Sequence, residues 1–131
     1  MMGDTPEKRA KVYQMQLVIT DANTASLMTS FKSTDKQEIA QAYYDKFAPI
    51  VEKLGNQKFL CGENVCMADF LLFENVEYMN KISDGAYAQK FPTLPAYADR
   101  VKNLPGMKEF YESDKCIKNV WGRPEMAYKW E

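Results

Sequence analysis

No histidine occurs anywhere in these 131 residues, which removes the commonest general base and the commonest metal ligand. Cysteine is scarce as well. Cys61, Cys66 and Cys116 are odd in number and too few to staple a secreted domain, so a reducing, cytoplasmic setting is expected. Cys61 and Cys66 also lack the two-residue spacing of a redox or zinc knuckle, and no metal site is expected. Neither sign of charge dominates: 17 Lys and Arg stand against 18 Asp and Glu. Such a balance gives no basic surface to displace counterions from phosphates, and it excludes nucleic acid as a partner. No apolar run approaches the ~18 residues of a membrane span. The opening Met1-Met2-Gly3-Asp4 leads into no apolar secretory segment, so neither membrane nor export is expected. Period-two alternation, repeats and low-complexity segments are absent too, which leaves little room for sheet.

What is present is helical. With 46% hydrophobic residues the chain has the length and composition of one domain, residues 1–131, able to bury roughly two thirds of its unfolded surface. Thr5-Pro6-Glu7 reads as a helix start: a hydroxyl to cap free amides, a proline suited to the first helical position, and an acid at the positive end. From there to about Phe31 no proline or glycine intervenes. Val12, Met15, Ile19, Ala22 and Ser26 recur at spacings of three and four and form a core-facing stripe. A second stripe, Leu17, Asp21, Thr24, Met28 and Phe31, mixes a carboxylate and a hydroxyl with large soft side chains, and it is the face on which function is expected.

Asp35 followed by Glu38 gives a capping pattern for a second helix, which runs through Ile39, Tyr43, Phe47, Ile50, Val51 and Leu54 to Gly55. Pro49 should bend it. Met67, Phe70, Leu71 and Phe73 open a buried helix that ends at Ser83-Asp84-Gly85. Thr93, between Pro92 and Pro95, is the expected cap of the next helix, and a short one follows Pro105-Gly106. Tyr13, Tyr43, Tyr44 and Tyr78 read as core or core rim. Residues 115–131, with Gly122-Arg123-Pro124 among them, read as a tail over the bundle. The expected fold is all-α, a bundle of about five to six helices.

The most specific local signal is Gly62-Glu63-Asn64-Val65-Cys66-Met67-Ala68-Asp69-Phe70. Asp69 lies three residues after a candidate cap, and Val65 can staple onto Phe70 across the first turn. The combination resembles the capping box and hydrophobic staple of the glutathione transferase superfamily, where a serine or threonine occupies the cap of the buried central helix. Cys66 departs from that pattern, its thiol being a weaker acceptor than a hydroxyl, so Asp69 is expected to carry more of the capping. Gly3-Asp4-Thr5-Pro6-Glu7-Lys8-Arg9 resembles the opening of the mu-class helical domain. Lys58-Phe59-Leu60-Cys61-Gly62 and Phe91-Pro92-Thr93-Leu94, followed by Ala98-Asp99-Arg100, are similar to later segments of the same domain. The ordered set covers nearly the whole chain, while the Arg123-Pro124 tail also looks like the sigma class.

This resemblance implies a C-terminal helical domain without the thioredoxin-like domain that holds and activates glutathione. Glutathione would be the co-substrate of the complete family enzyme, and none would be bound by this chain alone. It implies that Asp21 matches an aspartate reaching glutathione of a neighbouring subunit. Thr20, Thr24, Met28, Phe31 and Trp121 match positions lining the pocket for an apolar electrophile. Phe31 stands where the mu class commonly has a tyrosine, and it cannot donate a proton to a developing oxyanion. Trp121, Tyr128 and Trp130 either close that pocket or anchor the tail. Two readings follow: the helical half of a transferase, partnered by a thioredoxin-like domain and a second copy, or a non-catalytic interaction module in a larger complex. Cys116, next to Lys115 and near Lys118, is a candidate reactive thiol.

Overall fold

A computed structural model describes residues 1–117 and 124–129. Six helices follow in order: α1 (Pro6–Lys32), α2 (Lys36–Leu54), α3 (Met67–Ile82), α4 (Tyr87–Lys90), α5 (Leu94–Lys102) and α6 (Met107–Glu112). Among the described residues there is no strand, only an isolated antiparallel bridge between Phe59 and Gly62. The all-α expectation holds. The four-residue α4 was not foreseen, because a single turn is too short to show a period.

Thr5 caps α1, its Oγ1 accepting from the Lys8 amide at 3.2 Å, with Pro6 at the first helical position. Asp35 caps α2 through the Gln37 amide at 2.9 Å. Glu38 does not close a box on Asp35. Its carboxylate accepts instead from the Ser33 hydroxyl. The helix stays continuous through Pro49, whose missing amide leaves the Asp45 carbonyl without its usual donor. Thr93 is not the expected side-chain cap: its backbone is already helical and its hydroxyl makes no cap hydrogen bond, since a cap needs extended dihedrals to aim its oxygen at the first-turn amides.

The first stripe of α1 is buried throughout, and α1 packs across both α2 and α3. Serines extend the buried face: Ser26 donates to the Ala22 carbonyl at 2.7 Å, and Ser30 and the Tyr78 hydroxyl share a hydrogen bond of 3.1 Å. Tyr43 stacks on Tyr78 with centroids 4.5 Å apart and donates to Asn23 Oδ1 at 3.3 Å. Tyr43, Asn23, Ser30 and Tyr78 thus satisfy one another between α1, α2 and α3, where an unpaired hydroxyl would cost about 1–3 kcal/mol. The α3 helix is the centre of the bundle, touching α1, α2, α4 and α5. Leu72, Val76 and Met79 on it are wholly buried. Tyr13 corrects the sequence reading: it is 60% exposed, because it lies on the outward side of α1, away from Val12 and Met15.

Candidate functional site

The outward face of α1 gathers most of the residues singled out from the sequence. At 3.6 residues per turn, Tyr13, Leu17, Thr20, Asp21, Thr24, Met28 and Phe31 fall in one band on the side of the helix opposite Met15, Ala22 and Ser26. Thr20, Asp21 and Thr24 are exposed and Phe31 is half-buried. Leu17 and Met28 keep nearly half their surface in solvent, at 48% and 45%. Asp21 makes no side-chain hydrogen bond or ion pair among the described residues. Its carboxylate is therefore free to meet a cation, and the surrounding apolar and hydroxyl groups offer contact to an uncharged molecule. Because the inner face is fixed by the core and by the Ser30–Tyr78 and Tyr43–Asn23 pairs, the outer face is presented on a rigid support.

Tail residues reach the end of this helix. The Tyr128 amide donates to the Ser30 carbonyl at 3.0 Å, one residue from Phe31, and Met126 is buried. Trp121 and Trp130 lie outside the described residues. Cys116 is half-buried in the turn after α6, its amide bonded to the Ser113 carbonyl at 3.2 Å.

A second cluster sits at the start of α3. Asp69 is completely buried and accepts three hydrogen bonds: from the Leu60 amide at 2.9 Å, the Tyr97 hydroxyl at 2.8 Å and the Cys66 amide at 2.9 Å. The last of these is the acidic arm of a capping box; the Cys66 side chain faces the Asp69 amide but forms no close cap hydrogen bond. Val65 and Phe70 both line an apolar groove with Leu104, Met107 and Phe110, at the positions a staple occupies. Burial and the adjoining Asp69 carboxylate hold the Tyr97 phenol protonated well above the ordinary tyrosine range. The cluster is a structural clamp joining the turn before α3 to α5.

Sequence spacing missed one contact in this cluster. Cys61 and Cys66 meet, the Cys66 thiol directed at the Cys61 sulfur 3.1 Å away. Their separation along the chain resembles no thiol motif, and only the tight turn between Phe59 and Gly62 brings them together. Burial first, then the hydrogen bond to Cys61, pushes the Cys66 thiol up to about 12. A cleft of about 560 Å³ lies beside the pair, lined by Met1, Asp4, Lys8 and Lys11 among others. Among the described residues no group of three or more acidic, histidine or cysteine side chains is placed to hold a metal ion, and no helix is long and apolar enough to cross a membrane.

Residues 11–114 match the family model described as Glutathione S-transferase, C-terminal domain. The chain is similar to the class-mu 26 kDa glutathione S-transferase isozyme 7 of Fasciola hepatica, at 28% identity over 95% of this chain and 59% of that protein. It is 22% identical to the class-mu 26 kDa isozyme of Schistosoma mansoni, over 90% of this chain and 55% of the relative. A shorter match joins it to human glutathione S-transferase A1, 31% identical over 59% of this chain and 34% of the relative. The chain thus spans less than three fifths of the length of the relatives it matches.

Proposed function

The chain belongs to the glutathione S-transferase C-terminal domain family, and from that membership we propose that it serves as the helical half of a glutathione transferase. In this role the outer face of α1 forms the wall of the electrophile pocket and part of the contact with a second subunit. The observation that carries the reading is the gathering of Thr20, Asp21, Thr24, Met28 and Phe31 on a single solvent-facing band of one rigid helix. Asp21 provides a charge-assisted contact for the α-ammonium of glutathione bound to a neighbouring subunit. Met28 and Phe31 give soft, adaptable contact for an apolar electrophile. Tyr128, held beside Ser30, extends the wall from the tail.

Activation of the glutathione thiol needs groups that this reading assigns to a thioredoxin-like domain, so the chain alone is inactive. The alternative is a scaffold module without catalysis, favoured by the exposure of Tyr13, Leu17 and Met28 on α1, an apolar face that another protein can cover. The test is conjugation of glutathione to an aryl halide by the purified chain, and by the chain fused behind the thioredoxin-like domain of a mu-class enzyme. The transferase reading expects no rate above background from the first and a measurable rate from the second, with Asp21→Asn raising the KM for glutathione in the fusion. Turnover by the chain alone would overturn the division of labour. An inactive but folded fusion would favour the scaffold.

A further inference from the structure

The contact between Cys61 and Cys66 is built rather than incidental. One carboxylate holds both ends of the segment that carries it: Asp69 accepts from the amide of Leu60, immediately before Cys61, and from the amide of Cys66 itself, each at 2.9 Å. Between those anchors the chain reverses at Gly62, whose φ of +113° suits glycine, while the Phe59 and Gly62 amides and carbonyls pair at 2.9 and 3.1 Å. The outcome is a buried sulfur, Cys66, aimed at a partly exposed one, Cys61. Their 3.1 Å separation falls in the range of about 3–3.5 Å from which groups react without further rearrangement.

The surroundings favour a particular class of oxidant. Cys61 opens on the cleft that also holds Asp4, Lys8 and Lys11. Lys8 is paired with Asp4 at 2.8 Å, whereas Lys11 is paired with no carboxylate among the described residues. A small disulfide bearing carboxylates therefore meets an unmatched cation beside the accessible sulfur.

We propose that Cys61 and Cys66 form a thiol-modification site at which a small anionic disulfide such as glutathione disulfide closes the pair into an intramolecular disulfide, Cys61 reacting first and Cys66 resolving. In the first step the Cys61 thiolate attacks one sulfur of glutathione disulfide. A bond forms between Cys61 Sγ and that sulfur, the bond between the two glutathione sulfurs breaks, and the leaving glutathione thiolate takes up a proton. In the second step Cys66 gives up its proton and attacks Cys61 Sγ, which releases the second glutathione as its thiol. Two protein thiols are oxidised to one disulfide, and one glutathione disulfide is reduced to two glutathiones. The product staples the turn before α3 to the first residue of its cap, at the point where Asp69 already clamps both ends.

The 131-residue chain can be incubated with glutathione disulfide, quenched with an alkylating agent and cleaved with trypsin, which leaves both cysteines on the single peptide 59–81. The expected product is that peptide lighter by two hydrogens, unalkylated and without a lasting glutathionyl group. Cys66→Ser should instead accumulate one glutathionyl group at Cys61, and Cys61→Ser should leave peptide 59–81 unmodified by glutathione. Cys66→Ala gives the same readout as the serine variant if the latter loses its helical circular dichroism. Lys11→Glu should slow closure several-fold with glutathione disulfide and leave it unchanged with an uncharged hydroxyethyl disulfide. An equally stable Cys61 adduct in the parent and in Cys66→Ser would overturn the resolving role, and two alkylated thiols on peptide 59–81 while Cys116 is modified would overturn the site. Equal slowing of both disulfides by Lys11→Glu would overturn the charge selection.

Discussion

Replacing Asp69 by alanine tests the clamp at the start of α3 most directly. The carboxylate has no solvent exposure and accepts from the Leu60 amide, the Cys66 amide and the Tyr97 hydroxyl at 2.8–2.9 Å. Without it the Tyr97 hydroxyl can turn wholly to the Asp69 carbonyl, already 3.2 Å away, but the two amides keep no acceptor. Each stranded buried donor costs about 1–3 kcal/mol, so the variant should lose about 2–6 kcal/mol. That is a large share of the ~5–15 kcal/mol by which a domain is stable. In urea, with a slope of about 2 kcal/mol per molar, the midpoint followed by far-UV circular dichroism should fall by roughly 1–3 M at an unchanged slope. Asp69→Asn keeps the shape and one oxygen but turns an amide donor toward another donor, and its loss should be smaller, about 1–3 kcal/mol. Tyr97→Phe removes a donor rather than stranding one and should cost least, about 1 kcal/mol. A cost for Asp69→Ala within about 0.5 kcal/mol of the parent, the range of an ordinary surface substitution, would refute the clamp.

Two further outcomes follow from the same region and from the core. Cys66→Ser puts a hydroxyl, a better acceptor than the thiol, at the cap of α3, and it should raise stability by about 0.5–1 kcal/mol in the same urea assay; a lower midpoint would show that the sulfur's packing outweighs the cap. Tyr43 and Tyr97 have phenols raised above the ordinary value of 10 by burial, with Tyr78 and Asp69 respectively adding to the effect. A group whose folded pKa is raised contributes stability that is complete below its unfolded value and is lost as pH climbs toward the folded one, so the chain should weaken progressively above pH 10. Phenolate absorbance should show these two ionising only together with the loss of helical circular dichroism, and titration of all eight tyrosines with the helices intact would contradict it.

Much of the fold was legible because it rests on local chemistry. Thr5-Pro6-Glu7, Asp35 and Gly55 mark helix ends by properties of a single turn, and the stripe from Val12 to Ser26 repeats often enough to fix a buried face. What escaped depends on distant partners or on orientation. Thr93 has the right side chain for a cap in the wrong backbone conformation. Tyr13 is a large aromatic one residue out of phase with the core. Asp69 was visible as a capping acid, but the bonds to Leu60 and Tyr97, nine and 28 residues away, have no signature in spacing. The Cys61–Cys66 contact is hidden for the same reason, since a turn places the two sulfurs together and no periodic pattern encodes it.

The contrast between α3 and α1 shows why a second face can be read as functional. The α3 helix is apolar over most of its circumference because neighbours cover it on several sides, and its composition needs no other cause. The α1 helix is covered on one side only, yet its open side still carries Tyr13, Leu17 and Met28 beside Asp21 and two threonines. A helix selected solely to cap a small bundle would gain solubility, at no cost in packing, by exchanging those side chains for charged ones. On the proposed reading, these are the side chains that a substrate or a second subunit touches from outside the described helices. The single carboxylate among them gives that contact a polar fixed point, and the hydroxyls and soft apolar groups around it give it breadth. A surface of that make-up suits a pocket wall, where one oriented charge sets position and adaptable neighbours accept varied shapes.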